Sequence, residues 1–239
     1  MTNDELQFRT TALKNGFAIT DIQVEKLGRF AALLRDWNQR INLISRKDEE
    51  NIWSYHLLHS AALVFTLDLK EGVRILDLGT GGGLPGIPLA ILLPGTSFVL
   101  LDSIRKKIGA VGEMIGELGL PNATAVCSRA EDLGSSPSYA RSFDTVIARG
   151  VAQLDLLIEW GKPFLKRRGA VEPSLQAGGK RTALAKPAIV AMKGGETGDE
   201  LAKAHRRFPS ARIRTVEMVF EGGESLRDSG KQLIIVEDV

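Results

Sequence analysis

Val73-Arg-Ile-Leu-Asp77-Leu-Gly79-Thr-Gly81-Gly-Gly83-Leu-Pro-Gly86 is the stretch on which the fold turns. Its first part is an apolar run of strand character. Its second part is rich in glycine, the residue that lets a strand bend sharply into a helix and brings backbone close to a ligand. A second apolar run, Phe98-Val-Leu-Leu101, ends in another carboxylate, Asp102. A glycine loop after one strand and an acid closing the next is how a doubly wound α/β sheet holds an adenosine-bearing cofactor.

Two templates fit the loop. Gly81-Gly-Gly83-Leu-Pro-Gly86 matches G-x-G-x-x-G, a pattern of low specificity that points to an NAD-dependent oxidoreductase. Asp77-Leu-Gly79-Thr-Gly81-Gly-Gly83 matches D-x-G-x-G-x-G, with its acid two residues before the first glycine. That acid would oppose the charge of a pyrophosphate. It suits S-adenosyl-L-methionine, whose methionyl amino group and sulfonium are cationic. The methyl donor is therefore the expected cofactor, on Asp77, Gly79, Gly81, Gly83 and Asp102. A strand–helix turn that binds nothing would fit the loop but not the matching Asp102.

At 239 residues the chain can bury one full core, with or without a small appendage. Its 44% hydrophobic and 25% charged content is that of an ordinary globular protein, and no run is apolar enough for a membrane span. Met1-Thr-Asn-Asp-Glu-Leu6 has no basic region leading into an apolar one, so no signal peptide is expected. Cys127 is the single cysteine; it excludes an internal disulfide and suits a reducing cytoplasm. One cysteine and three scattered histidines offer no zinc cluster, so no metal is expected. Net charge is only +2, but Lys162, Lys166, Arg167, Arg168, Lys180, Arg181, Lys186 and Lys193 face a single acid, Glu172, in their stretch. A second group is Lys203, His205, Arg206, Arg207, Arg212 and Arg214. Such concentrations either meet a nucleic-acid backbone or form a solvated face.

Leu27, Phe30, Leu34, Trp37 and Ile41 recur at helical spacing and predict a helix from Ile22 to Ile44, capped by Thr20 or Asp21. Helices from Asp4 to Lys14 and from Glu49 to Phe65 flank it, so residues 1–68 read as an N-terminal helical extension packed on a sheet domain spanning 69–239. From Val73 onward strands and helices alternate, predicting an α/β fold with a mainly parallel, seven-stranded sheet and helices on both faces. The strands are Arg74–Leu78, Ser97–Leu101, Ala123–Cys127, Phe143–Ala148, Ala188–Lys193, Arg212–Val219 and Gln232–Val236. The helices between them are Gly86–Leu93, Ser103–Leu118, Val151–Leu165 and Gly198–Arg207. Gly109, Gly112 and Gly116 weaken the second of these unless they allow close packing against a neighbour. Residues 167–187 lack periodicity and predict a long, mobile, basic insertion.

Four strand ends converge in this arrangement. Beside the glycine loop and Asp102 lie Ser128-Arg-Ala130-Glu131, facing an adenine edge, and Arg149, facing the crevice. Glu131 alone could equally be a charge at a helix N-terminus, and Arg149 a surface ion pair. Attack through carbon five of cytosine needs a cysteine nucleophile, but Ala125-Val-Cys127-Ser reads as a buried strand end. An Asn/Asp-Pro-Pro clamp for an exocyclic amine is missing, since the chain has no Pro-Pro. A guanine N7 already carries a free lone pair and needs only alignment with the sulfonium methyl. No catalytic residue beyond positioning is then expected, with Arg149 as the one candidate. His56 and His59, three apart on a helix, lack a third metal ligand, and Trp37 and Trp53 read as core.

The chain resembles the bacterial small-subunit (16S) ribosomal RNA guanine-N7 methyltransferase family, also called glucose-inhibited division protein B. The resemblance lies in Trp37-Asn38, Asn42-Leu43, His56 with Ser60, Asp77 through Pro88, Leu101-Asp102-Ser103, Lys106-Lys107, Ser128 through Glu131, Phe143-Asp144, Arg149 and Met192-Lys193-Gly194. It implies a Rossmann-like class I methyltransferase fold and S-adenosylmethionine as donor. It also implies guanine N7 in the decoding region of 16S ribosomal RNA, or of the assembled small ribosomal subunit, as acceptor. By position, Gly79, Leu84, Ala130, Glu131 and Arg149 would contact the cofactor. His59, Gly150 and Lys231 depart from the aspartate, alanine and arginine usual in the family. A monomer in the cytoplasm is expected, and a ribosome-associated RNA-binding module without catalysis remains the reading from another class.

Overall fold

In a computed structural model, residues 1–69, 72–167 and 181–239 are described. The seven strands are β1 (Arg74–Leu78), β2 (Ser97–Asp102), β3 (Ala123–Cys127), β4 (Thr145–Arg149), β5 (Ala188–Gly194), β6 (Arg212–Glu217) and β7 (Lys231–Glu237). They form one sheet in the order β3-β2-β1-β4-β5-β7-β6. All neighbours from β3 to β5 run parallel, and only β7 is reversed, antiparallel to both β5 and β6. The direction of strand addition switches between β1 and β4. At such a switch point the carboxyl ends of the strands leave a crevice.

Both faces of the central sheet are covered, which is why β1, β2, β4 and β5 read as apolar runs without alternation. Ile75, Phe98, Leu100, Ile147 and Val190 face one core, with α1 (Asn3–Lys14), α2 (Asp21–Asn38), α3 (Leu58–Thr66), α4 (Gly86–Leu92) and α5 (Arg105–Glu117). Leu76, Val99, Leu101, Val146 and Ile189 face the other, with α7 (Leu154–Gly161) and α8 (Gly198–Arg207). The short α6 (Ala130–Leu133) lies beyond β3, and α9 (Glu224–Asp228), absent from the sequence expectation, precedes β7. The side chains of α1 to α3 thus belong to the same core as one face of the sheet. Thr2 and Thr20 open α1 and α2 as capping boxes with Glu5 and Gln23. Gln23 also donates to the Ile91 and Leu92 carbonyls at 3.0 and 3.2 Å, tying the start of α2 to the end of α4.

Several boundaries differ from expectation, each for a local reason. The helix expected to reach Ile44 stops at Asn38. The Asn38 side-chain oxygen accepts from the Leu43 and Ile44 amides at 2.7 and 2.9 Å, and its nitrogen donates to Glu49 at 2.5 Å. A buried amide that caps the chain after a turn competes with continued helix. The helix expected from Glu49 begins as a 3-10 turn, Arg46–Asn51, and a π turn, Ile52–Leu57, before α3. Pro163, in the 3-10 turn Lys162–Phe164, ends α7 short of Leu165. Gly109 and Gly116 have open space where a Cβ would lie, and Gly112 meets only Ala125 at 3.9 Å, so they do not serve close packing. Cys127 is exposed rather than core, because β3 is the edge strand. Most of the expected insertion, residues 168–180, lies outside the described residues. Its described end is held: Thr182 exchanges backbone bonds with Thr66 and Asp68, and Ala185 donates to Glu237.

Replacing Asn38 by alanine strands two backbone donors beside the core and should lower the free energy of unfolding by about 2–3 kcal/mol. Urea denaturation measures this, and a change below about 0.5 kcal/mol would deny Asn38 its capping role.

Candidate functional site

The crevice at the switch point holds a cavity of about 420 Å³. Gly79, Thr80 and Gly81 form one wall, Asp102 and Ser103 a second, Ser128 through Glu131 a third, and Arg149 and Gly150 a fourth. Thus Gly79, Gly81, Leu84, Asp102, Ala130, Glu131 and Arg149 come together around one space. Asp77 and Gly83 do not line it. Gly83 turns toward Ile87, whose Cδ1 lies 2.5 Å from where a Cβ would stand.

Asp77 stands behind the wall, fully buried. One carboxylate oxygen accepts from the Thr80 hydroxyl at 2.6 Å and from the Gly86 amide at 2.9 Å. The acid at the end of β1 therefore caps α4 across the loop and fixes the bend between them. A Cβ on Gly86 would fall 2.6 Å from the same oxygen, so only glycine admits this cap. The other oxygen, Oδ1, is buried with no partner among the described residues. Burial lifts the Asp77 carboxyl from its ordinary 3.8 to about 6, against the two hydrogen bonds and the charge of Arg149.

Gly79 and Thr80 both donate to the Leu101 carbonyl, at 2.8 and 2.9 Å, laying the loop across the end of β2. Asp102 completes this wall: its oxygens accept from the Gly81 amide at 3.0 Å and the Ile104 amide at 2.9 Å. Each oxygen keeps a further lone pair. Gly81 has φ +58° and nothing within 4 Å of a Cβ position, so backbone alone forms the wall there. Glu131 is exposed in the first turn of α6, where a ligand contact and a charge on the helix terminus occupy one position.

Arg149 closes the base. Its Nη2 lies 3.1 Å from His56 Nδ1, and its Nη1 is buried without a partner among the described residues. Burial lowers its pKa to about 10, opposed by Asp77 and Asp48. His56 is pushed from 6.5 to about 4 by burial and then by Arg149. His59 falls to about 3 through burial, Arg149, Lys231 and His56. The charge of Lys231 thus acts on the buried His59 together with that of Arg149. Among the described residues no group of three His, Cys, Asp or Glu could hold a metal ion.

Leu43, Lys107, Val151 and Trp160 also line the cavity, and sequence spacing did not single them out as site residues. Leu43 arrives through the Asn38 turn and Trp160 through α7, which are tertiary effects. Only part of the basic groups read from the sequence is paired with acids, and Lys162, Arg167 and Arg206 have no acidic partner among the described residues. Lys166 pairs with Asp144 at 2.8 Å, Lys203 and Arg207 with Asp155 at 3.1 and 3.2 Å, and Arg214 with Glu237 at 3.2 Å. Lys193 pairs with Glu200. Arg46, Lys47, Arg105, Lys106, Lys107 and Arg129 have no acidic partner among the described residues, and two of them, Lys107 and Arg129, line the cavity.

The family model described as rRNA small subunit methyltransferase G (GidB) matches residues 23–172. Ribosomal RNA small subunit methyltransferase G of Chlorobium limicola is 39% identical over 92% of this chain and 90% of its own. The chain belongs to this family. The same-named protein of Pelodictyon phaeoclathratiforme is 37% identical over 99% of this chain and 94% of its own. The fold recurs in Aeropyrum pernix fibrillarin with natively bound S-adenosyl-L-methionine, at a TM-score of 0.52 and 13% identity, over 75% of this chain and 74% of that one. The chain thus has the Rossmann-like fold of S-adenosylmethionine-dependent methyltransferases expected from the sequence.

Because the folded state holds the Asp77 proton more tightly than the unfolded chain, the stability it adds is full below pH 3.8 and lost as pH rises through about 6. Relative to Asp77→Asn, the wild type should lose about 3 kcal/mol across this window. Urea unfolding at a series of pH values measures the difference, and a flat difference contradicts the buried, proton-retaining acid.

Proposed function

We propose that this chain transfers the methyl group of S-adenosyl-L-methionine to the N7 of a guanine in 16S ribosomal RNA, in the decoding region of the small subunit. Family membership carries the reading, and the cavity supports it. Backbone at Gly79 and Gly81 meets the methionyl end, with Leu84 against it. Asp102 receives the ribose hydroxyls through its remaining lone pairs, and Ala130 and Glu131 meet the adenine. Arg149 borders the methionyl group, while Asp77 and Gly83 act through the shape of the loop. When bound, the cofactor supplies an electrophilic methyl on a cationic sulfur. The protein's task is to exclude water and align a neutral purine nitrogen, which needs neither nucleophile nor general base. The dinucleotide alternative meets Asp77 behind the loop, an acid that opposes the charge of a pyrophosphate, whereas Asp102 suits the ribose of either cofactor.

We assign residues 1–68 to a helical extension and 69–239 to the methyltransferase domain. The chain acts as a monomer in the cytoplasm, on 16S ribosomal RNA or the small ribosomal subunit. Among the described residues no helix is long and apolar enough to cross a membrane. The unpaired cations at and near the mouth, Lys107 and Arg129 foremost, meet phosphates of the RNA, in place of the paired cations of the C-terminal half.

Calorimetric titration should show saturable S-adenosylhomocysteine binding that Asp102→Ala weakens by about tenfold or more. Intact protein that binds NAD instead would favour the oxidoreductase. Mass spectrometry of nuclease-digested ribosomal RNA should then show methylated guanine, and binding without methylation would leave only an RNA-binding module. Removing Lys107 and Arg129 together should flatten the salt dependence of RNA affinity by about 1.5 in logarithmic slope. An unchanged slope would contradict phosphate contacts at the mouth.

A further inference from the structure

His56 is buried at the start of the α3 segment and touches a cavity residue from outside the cavity. Arginine only donates hydrogen bonds, so the Arg149 Nη2 contact at 3.1 Å requires an unprotonated Nδ1 on His56. The ring proton then sits on Nε2, which lies 3.5 Å from Asp48 Oδ2. Burial and the adjacent guanidinium keep the ring neutral. One tautomer is thereby selected by the Arg149 contact: an acceptor faces the guanidinium, and Nε2 is buried near Asp48 without a hydrogen-bond partner among the described residues.

The chain segment that delivers these groups is irregular in a telling place. Asp48 lies in the 3-10 turn Arg46–Asn51, and His56 in the π turn Ile52–Leu57. A π turn inserts an extra residue and re-aims side chains, and such turns gather at functional sites. Asp77 Oδ1 and Arg149 Nη1 are both buried and unpartnered among the described residues, and Asp77 draws on the charge of Arg149. The guanidinium therefore interacts both with the acid that shapes the glycine loop and with the histidine of the N-terminal segment.

We propose that His56 is a positioning residue for methyl transfer: its Nδ1 holds the Arg149 guanidinium at the cofactor cavity. The inference rests on the proposed function, because Arg149 serves the cofactor there. It assigns the N-terminal segment a part in the site beyond packing. Loss of the imidazole frees Arg149 to turn toward Asp77, and the base of the cavity changes shape without loss of any group that lines it.

Three variants and one spectrum test this. Ring nitrogen-15 shifts of wild-type protein at neutral pH should show His56 with Nδ1 bare and Nε2 protonated, and Arg149→Met should return the ring to a tautomer mixture. His56→Leu should weaken S-adenosylhomocysteine binding about tenfold or more. His56→Asn, whose amide oxygen can stand near Nδ1, should recover affinity to within about threefold of the wild type. A protonated Nδ1 in the wild type overturns the proposal, as does full affinity in folded His56→Leu. If the leucine variant does not fold, the wild-type spectrum and the asparagine variant still decide, and a folded asparagine variant about tenfold or more weaker than the wild type overturns it. Wild-type protein that binds no S-adenosylhomocysteine overturns the proposed function itself, whereas binding indifferent to His56 overturns this inference alone.

Discussion

The carboxylate of Asp77, buried at the end of β1, holds the Thr80 hydroxyl and the Gly86 amide with one oxygen. Those two bonds set the angle at which strand becomes helix, and everything at the switch point is arranged around that angle. A buried acid is costly unless hydrogen-bonded. Here the bonds come from the loop itself, so the cost of burial is offset only when the loop is correctly formed. The absence of a Cβ at Gly86 is part of the same arrangement, because any side chain would displace the oxygen that receives its amide.

From this brace the cavity walls follow in order. The loop lies on the Leu101 carbonyl, Asp102 ties Gly81 to the far strand, and Ser128 donates to the Asp102 carbonyl from β3. Strand order does the rest: the glycine loop, Asp102, the Ser128–Glu131 turn and Arg149 end four adjacent parallel strands. The helices of the first part of the chain contribute through Leu43, His56 and Asp48, so the site is finished by a segment that precedes the sheet in sequence.

Much of this was legible in the residues. The strands read as apolar runs because helices cover both faces, and the glycine loop with Asp102 marked the crevice before any fold was known. What the residues did not reveal depended on neighbours distant in sequence. Asp77 reads as a ligand contact by its place in the motif, but three-dimensional burial makes it a brace. Cys127 reads as core until β3 proves to be an edge. The basic stretches lose part of their apparent excess once Asp144, Asp155, Glu200 and Glu237 arrive from other elements. Helical spacing carried past Asn38, where a side-chain amide takes over from the backbone ladder. His56 stands out in the sequence only as a possible metal ligand and as part of the family pattern, since its contact with Arg149, far along the chain, depends on the fold.

The central claim is that the crevice at the β1–β4 switch point, braced from behind by Asp77, is where the methyl donor sits. A crystal structure grown with saturating S-adenosylhomocysteine tests it most directly. The account predicts the ligand lying along Gly79 and Gly81, with its ribose on Asp102 and its adenine beside Glu131. Ligand density at another place, with this crevice filled only by solvent, would contradict it.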